Sequence, residues 1–492
     1  MYQGNRVENE RSMQSGPDST ATAAAVLAPS EGTFAQTGDI RLDSRGDWAS
    51  QNEPSGGKPR RDAWDWLLCA VILCGLPVLL FLTVRNGLIQ PLLLEAEHHQ
   101  WIRLILRPTI LWMVMGIVLL AFRTICWLRY RPFPPATFAD APNLTVIIPA
   151  YNEGAMVLNA IESAATANYP QDRLEVFAVD DGSTDDTWTY IRKAAARFPE
   201  VVKPIRFDKN QGKRAALSAG FRRSRGSVVV TVDSDSVVEP NSLLAIAGPF
   251  RDPKVGAVAG RVMVFNRRAG VIPRMLHVRF ILAFDFLRAV ESSFRNVFCC
   301  PGALTAFRTS LVLEVLDRWA HQTFLGSPCT IGEDRAMTNL VFDCGYDTVY
   351  QRTAAVHTMA PSSYPKLSRM LLRWDRSYIR EEFCFLRVLW KRPLRTRIIA
   401  LCDRAITNLR YPVHYASIFM ILFLVFHHPA MLLRFLLAVG LISLYNMFYY
   451  LRSERSLDFC YGIFWSYFEL ATLFWIFPYA FLTVRARGWL TR

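Results

Sequence analysis

Residues 227–236 read SVVVTVDSDS. Ser227–Val232 is a β-branched run of the length and composition of a strand buried on both faces. It stops at two aspartates one residue apart, Asp233 and Asp235. Two similar runs lie upstream, Leu144–Pro149 (LTVIIP) and Leu174–Val179 (LEVFAV). Helical stretches near Val157–Ala167, Thr187–Arg197 and Arg214–Arg223 alternate with them. Strands alternating with helices predict right-handed βαβ units and a mainly parallel sheet, an α/β fold. Ligands of such sheets sit beyond the carboxyl ends of the strands. The first run is followed by Tyr151-Asn152-Glu153, the second by Asp180-Asp181-Gly182-Ser183, and the last by Asp233-Ser234-Asp235. Polar and acidic residues therefore collect on one rim.

An Asp-x-Asp after a buried strand suits Mg²⁺ or Mn²⁺, which take carboxylate oxygens and keep positions open for phosphate. No P-loop is present, so phosphates would need cations as well. Lys213 and Arg214, in NQGKR, are candidates. Such a metal would neutralise a departing diphosphate as a Lewis acid. Downstream stand Gly332-Glu333-Asp334-Arg335 and then Arg373-Trp374. A further carboxylate there offers a general base for an attacking hydroxyl, and a tryptophan offers a flat apolar platform for a sugar ring.

The flanks have a different composition. Of 492 residues, 51% are hydrophobic and 13% aromatic, and mean hydropathy is +0.16, which excludes a solvated disordered chain. Net charge is +14, a balance that suits an anionic membrane surface once long apolar runs accompany it. Nucleic acid is not expected as a partner. None of the ten cysteines forms a CxxC, and free thiols are expected. Residues 1–60 read as a disordered tail. Residues 61–131 hold two candidate transmembrane helices, Trp66–Val84 and about Leu104–Leu128, the second interrupted by Arg107 and Arg123. The soluble domain is expected over 140–360, and amphipathic interface helices, rich in Arg, Lys and large apolar residues, over 361–410. Residues 411–492 hold further spans, roughly Tyr411–Phe426, Phe435–Leu451 and Phe459–Val484. The positive-inside rule puts residues 85–103 outside and the soluble domain in the cytoplasm of a multi-pass cell-membrane protein. Five crossings would leave the basic end RARGWLTR outside, against that rule, so one span is expected to be re-entrant, interfacial or doubled. Glu469, inside the last span, is either channel-lining or paired with a neighbour.

The order YNE, DDGS, GKR, DSD, GEDR, RW resembles processive family-2 glycosyltransferases, the membrane synthases of hyaluronan, cellulose, chitin and related β-linked polymers. The resemblance runs from about residue 60 to the C-terminus and is closest to hyaluronan synthases and chitooligosaccharide synthases. It is carried also by CCPGALTAFR (299–308), TFLGSPCTIGEDRAMTN (323–339), TVYQRTAAVHT (348–358), RWDRSYIREEF (373–383) and the terminal GWLTR. It implies a GT-A-type, Rossmann-like cytosolic domain joined to a transmembrane helix bundle. It also implies roles: Tyr151, Glu153 and Asp181 on the uridine with Asp180 close by, and Lys213 and Asp233 along the nucleotide. Asp235 would ligate Mg²⁺ or Mn²⁺, Asp334 would act as base beside Glu333, Arg373 would meet the diphosphate, and Trp374 would stack under the acceptor sugar. Two positions depart from the family pattern. Met370 stands where Gln-x-x-Arg-Trp has Gln, and Glu333-Asp334 stands where hyaluronan and chitin synthases have Asp-Asp.

The expected function is an inverting, processive transfer from UDP-sugars to a growing polysaccharide, within a lipid bilayer. A hyaluronan-like product from UDP-GlcNAc and UDP-glucuronate is the first expectation. Arg335, Arg369, Arg373 and Arg376 are cations near the presumed site that could grip a carboxylate. The alternatives are a chitin-like or other β-linked homopolymer, or transfer of one sugar to a polyprenyl-phosphate carrier.

Overall fold

The computed structural model describes residues 40–42, 48–50, 63–85 and 90–486. Most of the 1–60 tail and the terminal GWLTR lie outside the described residues. Within the tail, Ile40–Leu42 and Trp48–Ser50 pair as antiparallel strands.

Eight strands form the sheet: β1 (Leu144–Ala150), β2 (Leu174–Asp180), β3 (Val202–Arg206), β4 (Val228–Val232), β5 (Ser236–Val238), β6 (Val255–Val264), β7 (Leu304–Arg308) and β8 (Asp347–Thr358). Their spatial order is β3-β2-β1-β4-β7-β6-β8-β5. The half from β3 to β4 is parallel throughout, as the alternating runs dictate. The other half is mixed: β7 runs antiparallel to both β4 and β6, and β5 runs antiparallel to β8. Every residue of β1, β2 and β4 is buried, which is why these strands read as continuous apolar runs rather than alternating ones. Helices cover both faces. Met156–Ala165 packs on one, and α3 (Lys213–Arg223), Thr309–Ala320 and α4 (Glu333–Asp343) pack on the other; α1 and α2 are the two long helices that precede the sheet, Ala63–Arg85 and Gln100–Arg129.

After the sheet come α5 (Tyr364–Leu389), α6 (Leu394–His427) and α7 (Met431–Glu454). α5 is amphipathic: Leu367, Leu372, Ile379 and Phe385 are buried while Phe383 and Leu386 are exposed. Met370 is on its buried face and joins the main core, an apolar place that suits Met better than the family's Gln. α5 packs on α4 on one side and on Ile476–Leu482 on the other, linking the sheet domain to the last membrane segment.

Among the described residues, four helices, Trp66–Arg85, Gln100–Arg129, Leu394–His427 and Met431–Glu454, are long and apolar enough to cross a membrane. Many of their large apolar side chains face outward, Phe426 at 83% exposure and Leu104 at 74%. Such surface is stable in lipid and not in water. The chain is a membrane protein. The last apolar region is a broken pair, Phe459–Leu473 and Ile476–Leu482, bent by 50°. Such a pair is either one broken span or a re-entrant loop. One helix crosses the expected 410/411 boundary without a break. Backbone hydrogen bonding is indifferent to the change from basic to apolar composition, and the charges on α6 are neutralised by partners. Arg404 bonds Asp403 at 2.9 Å and Glu382 at 3.2 Å. Arg123 of α2 bonds Asp403 at 2.7 Å, which explains how an arginine sits in an apolar helix.

Candidate active site

The ends of β1, β2 and β4 lie on one rim. At β2, Asp180 is fully buried and accepts the Ser183 amide at 3.0 Å, with Arg206 Nε 3.4 Å from its other oxygen. Asp181 accepts the Gln211 and Gly212 amides at 2.8 and 2.9 Å and the Asn210 side chain at 3.1 Å. Burial pushes its carboxyl above the ordinary aspartate value, against those amides. Gly182, at φ +70°, makes this approach possible: a Cβ there would lie 2.4 Å from the Lys209 carbonyl carbon. At β1, the amides of Asn152 and Glu153 donate to Ser183 and Thr187 at 3.0 and 2.8 Å. Tyr151 follows the strand end, partly exposed. Ser234, between the two aspartates after β4, donates to Glu153 Oε1 at 2.9 Å and ties this corner to the next.

The second corner is held by charge. Lys213, at the start of α3, lies 2.6 Å from Asp233 and 2.8 Å from Glu333. Burial disfavours its ammonium, but the two carboxylates outweigh burial and hold it above the ordinary lysine value. Glu333 is likewise held down by Lys213, and also by Arg373, against its own burial. Asp334 goes the other way, raised by burial and then by the charge of Glu333. Its oxygens accept the Arg335 amide at 2.7 Å and the Cys299 thiol at 3.6 Å. That thiol stays protonated at neutral pH, pushed up to about 12 by burial and then by Asp334. Asp235 is raised to about 6, by burial and then by Asp233, and accepts Thr358 and Ser236 hydroxyls at 3.1 and 3.2 Å. Lys213, Asp233, Glu333 and Asp334 line one crevice with Cys300 and Gly302.

Gly332 sets the position of Glu333 and Asp334. It caps α4 at φ +71°, and a Cβ on it would fall 1.9 Å from Ser377 Oγ of α5. The pair of acids is thereby pressed against the helix that carries Arg373 and Trp374. Trp374 is exposed and has Phe280 and Phe284 at ring distances of 6.0 and 6.5 Å.

Some expectations change. Arg214 is buried and turned from the crevice: it donates to Trp319 O and to Gln322 at 2.9 Å, leaving Lys213 as the cation of that motif. Of the four arginines expected near the site, Arg376 bonds Thr483 at 2.9 Å and Arg369 bonds Pro365 O at 3.1 Å, so only Arg335 and Arg373 stand beside the acids. His357 pairs with Glu239 at 3.0 Å, as a structural histidine. Ser234, Thr358 and Gly302 were not singled out as site residues. Ser234 stands between the two aspartates in sequence, whereas only tertiary packing brings Thr358 and Gly302 to the acids.

No group of three or more His, Cys, Asp or Glu side chains among the described residues forms a closed metal cage. Asp233 and Asp235 nevertheless fit a hard divalent cation. They are all-oxygen donors, and Asp233 together with burial raises Asp235 by more than Lys213 and two hydroxyls offset, a repulsion that a cation would neutralise.

The geometry defines a GT-A-type domain whose acid-lined rim is docked on membrane-length helices. A family model described as glycosyl transferase family 2 matches residues 145–316. The chain is 33% identical over 247 residues to an N-acetylglucosaminyltransferase of Azorhizobium caulinodans, covering 50% of this chain and 62% of the relative. It is 32% identical over 291 residues to the hyaluronan synthase of Streptococcus pyogenes, covering 57% and 68%. Among solved structures, the mannosyltransferase PcManGT of Pyrobaculum calidifontis, in complex with GDP-Man and Mn²⁺, superimposes with TM-score 0.53 at 20% identity, over 73% of this chain and 98% of that one. The chain belongs to the family-2 glycosyltransferases, of the hyaluronan synthase and N-acetylglucosaminyltransferase type.

Proposed function

We propose that this protein is a membrane-embedded, processive, inverting glycosyltransferase that makes a β-linked polysaccharide from UDP-sugars. The observation that carries this reading is the contact of Gly332 with Ser377. Through it, the acids of α4 face the helix that bears Arg373-Trp374 and leads into the membrane. A transferase that only loaded a soluble acceptor would have no need of that contact. Tyr151, Glu153, Asp180 and Asp181 hold the nucleoside end of the donor. Lys213, Asp233 and Arg373 lie along the diphosphate, and Trp374 stacks under the acceptor sugar. Asp334 takes the proton of the acceptor hydroxyl as that oxygen attacks the anomeric carbon from the face opposite UDP. One displacement then inverts an α-linked donor to a β-bond. Its raised affinity for a proton makes it a better base than an ordinary aspartate. Glu333, locked to Lys213, supplies the negative charge that raises it. Mg²⁺ or Mn²⁺ held by Asp235 would supply charge neutralisation on the leaving diphosphate. The catalytic domain faces the cytoplasm of a multi-pass cell-membrane protein, a reading supported by Arg129 and Arg131 where the chain leaves α2 and by Arg395, Arg397 and Arg404 in the first part of α6.

A hyaluronan-like product, from UDP-GlcNAc and UDP-glucuronate, is the first reading. A chitin-like homopolymer is the second, favoured by Asp375 beside Trp374, whose charge opposes a passing uronate. Membranes given each labelled donor singly and together test this. Long hyaluronidase-sensitive polymer only with both donors supports the first reading. Chitinase-sensitive polymer from UDP-GlcNAc alone replaces it with the second, and no polymer with any donor set overturns processive synthesis itself.

A further inference from the structure

Thr323–Phe324 and Ser327–Pro328 pair antiparallel as a short hairpin with Leu325 and Gly326 at its tip. Both tip residues have positive φ, +48° and +75°. A tight hairpin turn of this kind suits Asn, Asp or Gly at its first position, and a leucine there is strained by its own Cβ. Little packing inside the protein offsets that strain, because Leu325 is 65% exposed. A large apolar side chain is thus held out from the surface by a turn that disfavours it.

The hairpin stands where the sheet domain meets the membrane helices. Phe324 lies 6.3 Å from the Phe383 ring of α5, and Ser327 donates to the Arg485 carbonyl at 3.3 Å, just past the end of the broken last span. At the hairpin's base, Gln322 donates to Glu381 of α5 at 3.0 Å. Exposed apolar side chains continue from Phe383 to Leu386 and Trp390, and then to Leu394 and Ile398 of α6. Within each helix they are three or four positions apart, which places them on one face. The row runs on into Phe419, Leu422 and Phe426, on the outer face of the same helix, which is long and apolar enough to cross a membrane. Arg387 and Arg395 are exposed among its members. Apolar side chains interleaved with arginines, continuous with a spanning helix, suit the boundary between headgroups and acyl chains.

We propose that the Leu325 turn is a membrane contact of the sheet domain, its leucine entering the upper acyl region of the leaflet that this domain faces. Arg387 and Arg395 meet the phosphates of the headgroups around it. The partner is a phospholipid surface, and the contact is independent of which polymer the enzyme makes.

The test uses the full-length protein in vesicles of phosphatidylglycerol and phosphatidylethanolamine with radiolabelled acyl chains. Photoreactive benzoylphenylalanine replaces Leu325 and, as references, Leu422 on the outer face of α6 and Leu313 on the sheet-domain helix Thr309–Ala320, both exposed. After irradiation, lipid captured at 325 should approach that captured at 422 and exceed that at 313 by about fivefold or more, as expected for a side chain buried in the headgroup and acyl boundary. Capture at 325 no higher than at 313, with 422 labelled, would overturn the proposal. Leu325→Trp gives a second reading with a smaller group. Lipids brominated on the upper acyl chain should quench the fluorescence that this tryptophan adds to the parent protein, and aqueous iodide should not. Quenching by iodide and not by brominated lipid would overturn the proposal as well.

Discussion

The two corners of the crevice are built on different physics. Around β1 and β2, backbone amides hold the carboxylates: Asp181 accepts Gln211 and Gly212, and Asp180 accepts Ser183 through one oxygen while Arg206 lies 3.4 Å from the other. Around β4 and α4, carboxylates are set by other charges: Lys213 between Asp233 and Glu333, Asp334 against Glu333, Asp235 against Asp233. An amide-held acid is a fixed fixture for recognition. A charge-held acid has its proton affinity tuned by its neighbours, which is what chemistry requires. The first corner should therefore tolerate substitution with a change in donor affinity, and the second only with a change in rate.

The largest effect expected is that of Asp235→Ala. Losing the charge neutralisation of the leaving diphosphate should remove several kcal/mol of transition-state stabilisation, on the order of 10³ in rate. Activity and divalent-cation dependence should disappear together. Full activity of the wild-type enzyme in EDTA would show the metal to be misplaced. Trp374→Ala comes next, since a poorly oriented acceptor hydroxyl costs about 10² in polymer formation. Water needs no platform, so UDP hydrolysis should be spared. Equal loss of both activities would make Trp374 a packing residue.

Ser234→Ala is the gentler probe, aimed at the hydrogen bond from Ser234 to Glu153 that joins the corners. A partly exposed bond to a carboxylate contributes about 1 kcal/mol, so donor KM should rise roughly fivefold with kcat nearly constant. A kcat change without a KM change would erase the distinction between the corners. The pH profile is the subtlest. Asp334 must be a carboxylate to act as base, and its proton affinity is raised by burial and by Glu333. Activity should therefore be full above its raised value and fall as pH drops through it, higher than an ordinary aspartate would allow. A Glu333→Gln variant should move that limb downward. An unmoved limb would mean that the two acids are not coupled.

The parallel half of the sheet was legible because β1, β2 and β4 are buried on both faces and end in polar residues, a pattern local in sequence. The mixed half was not. β7 and β5 pair antiparallel, and nothing local to LTAFR or SVV distinguishes that from a parallel neighbour. Lys213, Asp233, Glu333 and Asp334 were nameable from their motifs, and the structure brings them into one crevice. Their charge state was not nameable, because Lys213 could be read as a phosphate cation until its two carboxylate partners were seen. Arg214 was misread for the same reason: adjacent helix positions point about 100° apart, and only packing decides which faces the ligand. The continuity of α6 was hidden by its composition, since Arg404 and Asp403 are also neutralised by Glu382 and Arg123, partners remote in sequence.

Asp334→Asn tests the central claim most directly, with UDP binding measured by calorimetry beside label incorporation into polymer. The substitution keeps the shape of the side chain and leaves the amide-held corner untouched. UDP affinity should stay within about twofold while polymer synthesis falls by about 10²–10⁴, the usual contribution of a general base. Polymer made at more than about a tenth of the wild-type rate would contradict the assignment of Asp334 as the base.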